Sequence, residues 1–374
     1  MAADRLLTAE AGRGALPIWL GSRLAVLLAS LAAVRVIHTG PADRVPSLLD
    51  AWYHWDTALF IKVAQYGYLS PAYPDHTEVD FPGLPLVLRA VHLVVRNWIV
   101  SGLLISVVAG VATSMALWQL AEDDRRGSGR IAVAALVVFP YAVFLFAGYS
   151  EGLFLGFAVP AWLAARRQRW LLASVLGAGA TSTRVTGIAF GLALAVEYLV
   201  QQRRAGGLLD RQAPWLVLPA VPVIGYVVYL HARTGHWDAY TRAQKAGWGR
   251  SFAAPWTAWS NTWHQALNLH QGSDYLWYWR AELCAALIGV LLTAVLIRDR
   301  RWGEATFVSV NLLVMTSTSY FASGVRGVLV WFPLYLLASR ALLRRPHAQL
   351  LLLCTSAPLM LALTGGFVSG AWLD

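Results

Sequence analysis

The chain has 374 residues, of which 57% are hydrophobic and only 13% charged, with a formal net charge of +10 and a mean hydropathy of +0.53. A soluble domain of this length cannot hide that much apolar surface, and runs of about 20 apolar residues need a bilayer. The excess charge lies in short arginine clusters between apolar runs, which excludes a nucleic-acid-binding face and points to membrane topology. The expected class is an all-α polytopic integral membrane protein.

In chain order, Met1 to Pro17 is polar, and 18–37 is too long for a signal-peptide core and lacks a small-residue cleavage site. It is read as the first of eleven spans, which fall at roughly 17–37, 98–120, 131–147, 152–165, 170–183, 186–200, 214–231, 281–297, 303–320, 327–340 and 347–364. Threading them in and out puts five loops on one side: Arg125/Arg126/Arg130, Arg166/Arg167/Arg169, Arg203/Arg204/Arg211, Arg298/Arg300/Arg301 and Arg340/Arg344/Arg345. Arg5 and Arg13 join them, and the positive-inside rule makes this side, with the N-terminus, cytoplasmic.

Two long polar stretches, 38–97 and 232–280, fall on the other side, within what is read as a single domain over 1–374. Each holds one of the two lysines, Lys62 and Lys245, and eight of the nine histidines lie on this side. Chemistry is therefore expected to face outward. Cys284 and Cys354 both fall inside apolar spans and read as small hydrophobes, not as a disulfide or metal pair.

The first outer stretch contains Trp52 to Tyr68, WYHWDTALFIKVAQYGY, with Asp56 among aromatic rings. Poor hydration there would raise a carboxylate's pKa and make it a better proton acceptor. Leu48, Trp52, Trp55, Leu59, Val63 and Tyr66 repeat at helical spacing, as in an amphipathic helix lying in the interface. A second local reading starts the helix at Asp56 as its N-cap and stops it at Gly67. Next, Phe81 to Pro85 (FPGLP) breaks the chain before 86–96, a segment too short and too polar to span, which is read as a second interfacial helix. The second outer stretch holds seven tryptophans, an aromatic belt in which one or two rings could stack on a sugar.

Three charges fall near outer helix ends: Glu151 after Gly148-Tyr149-Ser150, Arg184 after Thr181-Ser182-Thr183, and Arg326 after Ser323-Gly324. Arginine suits phosphate because its planar fork offers several donors and stays charged when buried. Lys62 and Lys245 could hold phosphate as point charges. No zinc spacing, phosphate loop or GxSxG appears. Asp75, Glu78 and Asp80, with His76, invite a metal reading that ranks below a solvated acidic loop.

Trp55-Asp56, Ile61 to Ala64, Gly67-Tyr68 and Phe81 to Pro85, in that order, resemble the first outer loop of the PIG-V family, the second mannosyltransferase of GPI-anchor synthesis and its bacterial relatives. Tyr149 to Phe154 is similar to that family's YSE-x-LF segment, Arg184 with Gly187 to its R-x-x-G, and Arg326 with Phe332-Pro333 to its R…FP element. Ala243 to Arg250 resembles the Q-x-x-x-W-G run of bacterial members. The chain departs from the pattern at Asp80, where the family usually has an aromatic residue.

The resemblance implies a GT-C fold of about eleven transmembrane helices with interfacial helices in the first outer loop, and a polyprenyl-phosphate-mannose donor. It implies Asp56 as general base, with Arg184, Arg326, Lys62 and Lys245 holding the donor phosphate. Trp55, His54, Tyr149, Glu151, Gln244, Trp248 and Arg250 are expected at the sugar or acceptor. No metal or other cofactor is expected, and the acceptor would be a cell-envelope glycolipid or glycan. The alternatives are a GT-C enzyme using another prenyl-phosphate sugar, a lipid-linked-sugar flippase, and an inactive relative serving as an assembly partner. A flippase predicts inverted repeats and charges at mid-membrane, whereas these charges cluster at helix ends.

Overall fold

A computed structural model describes residues 6–37, 47–73, 76–270 and 272–373. Arg5 and Asp75 from the readings above lie outside these. In chain order the α-helices are α1 (Ala9–Ala32), α2 (Asp56–Tyr66), α3 (Gly83–Val95), α4 (Trp98–Asp124), α5 (Gly129–Val137), α6 (Ser150–Arg166), α7 (Trp170–Thr181) and α8 (Gly187–Arg204). They continue with α9 (Val221–Thr234), α10 (Ala239–Trp248), α11 (Pro255–Leu267), α12 (Ser273–Arg298), α13 (Trp302–Thr316), α14 (Gly324–Val330), α15 (Phe332–Leu342) and α16 (Pro346–Val368). Among the described residues the only β feature is one isolated bridge, Phe252 to Thr318.

Each of the eleven apolar stretches is helical over most of its length. Five are long and apolar enough to cross a membrane, Ala9–Val36, α4, Ala213–Thr234, Leu276–Arg298 and α16, with a sixth if α14 and α15 count together. The others are shorter. The 12 residues of α7 reach about 18 Å at the helical rise, short of a hydrocarbon core of about 30 Å. The 131–147 stretch breaks where α5 ends at Val137, just before Pro140, which cannot donate to a helical ladder.

The chain divides into two compact units, the first formed by 1–65, 84–167 and 332–373, the second by 66–83 and 168–331. In the first, α4 packs against α1, α5, α6 and α15. Its ends sort as the arginine pattern requires. At the arginine-bearing end, Arg167 and Arg340 each pair with the close of α4, at Asp123 (3.1 Å) and Asp124 (3.1 Å). Thr8, the cap of α1, donates to Gln119 there at 2.8 Å. At the opposite end a Cβ at Gly102 of α4 would stand 3.3 Å from the Cα of Gly148, just before α6, so α4 and α6 run parallel; there too the Thr57 hydroxyl donates to the Ala147 carbonyl at 2.6 Å.

In the second unit α8 packs on α13, and α12 on α11, α13 and α14. Its arginine-bearing end is closed by Tyr198, whose hydroxyl donates to Asp210 at 2.7 Å, and by an Arg301–Glu304 ion pair. At the other end Phe81 is buried with Tyr226, Leu230 and Ala239, flanked by Tyr68, Val185 and Tyr240.

The continuous amphipathic helix expected from Leu48 to Tyr66 is corrected. Asp50–Trp52 form one 3-10 turn, and Trp55 takes a left-handed backbone (φ 50°), which interrupts any helix. The apolar spacing that implied one helix has another cause. Trp52, 1% exposed, is a core residue packed edge-on against Phe146 at 5.0 Å between ring centres.

Candidate functional site

The site residues divide between the two units. In the first, Asp56 is the opening residue of α2 and half-buried, so the second of the two local readings is nearer, with Trp55 in the capping position. The Asp56 N–H donates to the Tyr149 hydroxyl at 3.3 Å. Tyr149 is 2% exposed and Glu151, in the first turn of α6, fully buried. The Trp-Asp and Tyr-Ser-Glu motifs, ninety residues apart in sequence, are thus joined at one helix start. Trp55 is exposed and donates from its indole N–H to the Ala371 carbonyl at 3.2 Å. His54 packs edge-on to Phe367 at 6.2 Å. Partial burial lowers the His54 pKa from its usual value, opposed by a hydrogen bond at the Val368 backbone. Lys62 is half-buried further along α2.

The second unit carries the remaining cations. Arg184 sits half-buried in the turn between α7 and α8. The FPG segment of the first outer stretch docks on that turn: the Gly83 N–H donates to the Ser182 carbonyl at 2.7 Å. A Cβ at Gly83 would lie 2.7 Å from the same oxygen, so only glycine permits this approach. Asp80, two residues after Glu78, is not on a solvated loop. Its carbonyl accepts from the hydroxyls of Tyr68 (2.6 Å) and Tyr226 (3.2 Å). Among the described residues no group of three potential metal ligands occurs.

On α10, Gln244 donates to the Tyr240 hydroxyl at 3.2 Å. Burial pushes the Tyr240 phenol above its usual pKa; Gln244 and the charges of Arg250 and Arg184 pull it down, while Asp80 pushes it up. Gly249, left-handed at φ 63°, ends α10 and turns the chain, so that the Arg250 N–H returns to the Gln244 carbonyl at 3.2 Å. The Arg250 guanidinium then donates to the Ser323 hydroxyl at 3.3 Å. Ser323 immediately precedes α14, which holds Arg326 at 5% exposure. Trp248 is half-buried, its carbonyl accepting from Tyr320 at 2.5 Å. Lys245 is exposed and has none of this enclosure.

Sequence reasoning missed Tyr240, the role of Asp80, and Glu282. Glu282 is fully buried and accepts the Gly324 N–H. The available signal was an acid at the edge of the 281–297 apolar stretch, where burial of charge is costly without a purpose.

No family model matches the chain. Over 167 residues, 41% of its length, it is 30% identical to GPI alpha-1,6-mannosyltransferase 2 of Mus musculus, and the match spans 33% of that relative. In fold it is similar to ArnT from Cupriavidus metallidurans, solved bound to undecaprenyl phosphate, with a TM-score of 0.54 at 14% identity, covering 97% of this chain and 78% of ArnT.

Proposed function

We propose that the chain, a membrane protein similar over part of its length to a GPI mannosyltransferase and in fold to ArnT, is a glycosyltransferase moving mannose from polyprenyl-phosphate mannose to a hydroxyl of a cell-envelope glycolipid or glycan. The observation that carries this is the joining of Trp55-Asp56 to Tyr149-Ser150-Glu151 through the Asp56 N–H and the Tyr149 hydroxyl. The undecaprenyl phosphate bound to ArnT favours a prenyl-phosphate donor over a nucleotide sugar.

The reaction is a single inverting displacement. The acceptor hydroxyl attacks the anomeric carbon and a new C–O bond forms. The bond from that carbon to the phosphate oxygen breaks, and prenyl phosphate leaves. The hydroxyl proton passes to the Asp56 carboxylate. Phosphate leaves readily, so no general acid is needed. Arg184 and Arg326, aided by Lys62 or Lys245, neutralise the departing charge, the electrostatic contribution that matters most in such chemistry. His54, Trp55, Glu151, Gln244, Trp248 and Arg250 orient sugar or acceptor, and no metal takes part. The protein sits in the plasma membrane with its N-terminus cytoplasmic and its site extracytoplasmic.

The test is transfer of radiolabelled mannose from polyprenyl-phosphate mannose to envelope lipid extract by the purified chain in proteoliposomes. Asp56→Asn keeps the size of the side chain and removes the base, so transfer should fall by at least about a hundredfold, the range of a general base, while donor binding stays unchanged. Turnover in the Asn variant near that of the parent chain would refute the assignment.

A further inference from the structure

Glu282 lies in α12 with no exposed surface, where an ionised carboxylate costs several kcal/mol, on the order of the desolvation penalty, unless its bonds replace water. What it holds is specific. Among its contacts, both carboxylate oxygens lie 2.9 Å from one backbone donor, the Gly324 N–H. A Cβ at position 324 would stand 2.5 Å from Glu282 Oε2 and 2.7 Å from Met315 Cε, so the glycine is what lets the carboxylate close on the backbone. The residue before it, Ser323, takes a left-handed conformation at φ 59° and receives the Arg250 guanidinium on its hydroxyl at 3.3 Å. The residue two positions after it is Arg326.

The chain leading to this turn is pinned as well. The Phe321 N–H donates to Thr262 Oγ1 at 2.8 Å, and Ser251 and Ser319 exchange hydroxyl contact at 2.9 Å. Glu282 thus fixes the first residue of α14.

We propose that Glu282 is a positioning residue for donor recognition: it fixes the Ser323–Gly324 turn, and through that turn the placement of Arg326 and Arg250 toward a prenyl phosphate. This rests on the donor reading above. A buried backbone donor left without its acceptor would let the turn relax, and a guanidinium displaced by an ångström loses much of its alignment on a phosphate.

The experiment compares the affinity of the full-length protein in lipid nanodiscs for undecaprenyl phosphate and for undecaprenol, which lacks the phosphate. The parent should prefer the phosphate. Glu282→Ala should weaken phosphate binding about tenfold, the scale of one charge-assisted hydrogen bond, and leave undecaprenol binding unchanged. Glu282→Gln offers a carbonyl acceptor at the same reach and should retain most of the preference. Glu282→Asp, one methylene shorter, should behave as the alanine variant and supplies the measurement if that variant does not fold. A preference unchanged in Ala and Asp, equal losses for both ligands, or a Gln variant as impaired as Ala would each overturn the proposal. A parent that does not discriminate between the two ligands would instead refute the donor reading itself.

Discussion

The Asp56 backbone is held by a side chain far away in sequence. Asp123 and Asp124 pair with arginines at the far end; the Asp56 N–H donates to the hydroxyl of Tyr149, the residue before α6. Tyr149, expected from the sequence at the sugar, is 2% exposed and also accepts the backbone of the acid. Tyr149→Phe keeps the ring and removes the acceptor. It should lower kcat by about two- to tenfold, the worth of one hydrogen bond of roughly 0.5–1.5 kcal/mol, with KM for the donor unchanged. Steady-state transfer assays separate the two constants. The legibility of single residues was uneven for a physical reason: Asp56 and Arg184 stood out as charges in apolar or aromatic company, but Tyr240 and Ser323 acquire meaning only from neighbours distant in sequence.

At the scale of elements, α2 is the piece that carries the acid, and both its ends are tied. Its final carbonyls have no intrahelical partners, and Arg89 of α3 donates from Nε to the Ala64 carbonyl at 2.8 Å. A cation there also opposes the negative end of the helix dipole, worth about 0.3–1 kcal/mol. Arg89→Met should leave the apolar contacts of α3 in place and speed amide hydrogen exchange in the last turn of α2 by about two- to tenfold, which follows from losing roughly 0.5–1.5 kcal/mol. Exchange read by mass spectrometry over 60–68, with α4 as internal control, checks this. The sequence pattern misjudged this region because period alone cannot tell a lipid-facing stripe from a core-facing one. Trp52 satisfies the helical repeat with Trp55 and Leu59, yet it belongs to the core around Phe146 and Phe367.

Across the whole molecule, the arginine-bearing loops predict one sidedness for every helix end. The salt bridges joining α4, α6 and α15 at their arginine-bearing ends obey it within the first unit. With Cys284 and Cys354 replaced by serine, single cysteines at His76 and at Arg126 should label oppositely. Membrane-impermeant maleimide added to intact cells should modify the cysteine at 76 and reach the one at 126 only after permeabilisation. The reverse pattern would invert the topology.

Composition by itself determined the membrane class and the helical stretches, because bilayer thickness and the cost of charge in hydrocarbon act on local sequence. The ordered short motifs determined which residues to watch. Only the tertiary structure decided how those residues are supported: Tyr149 under Asp56, Gly83 against Ser182, and Glu282 behind Gly324. These contacts join segments about ninety, about a hundred and about forty residues apart, respectively, and hydrogen bonds across such separations leave no periodic trace in a chain.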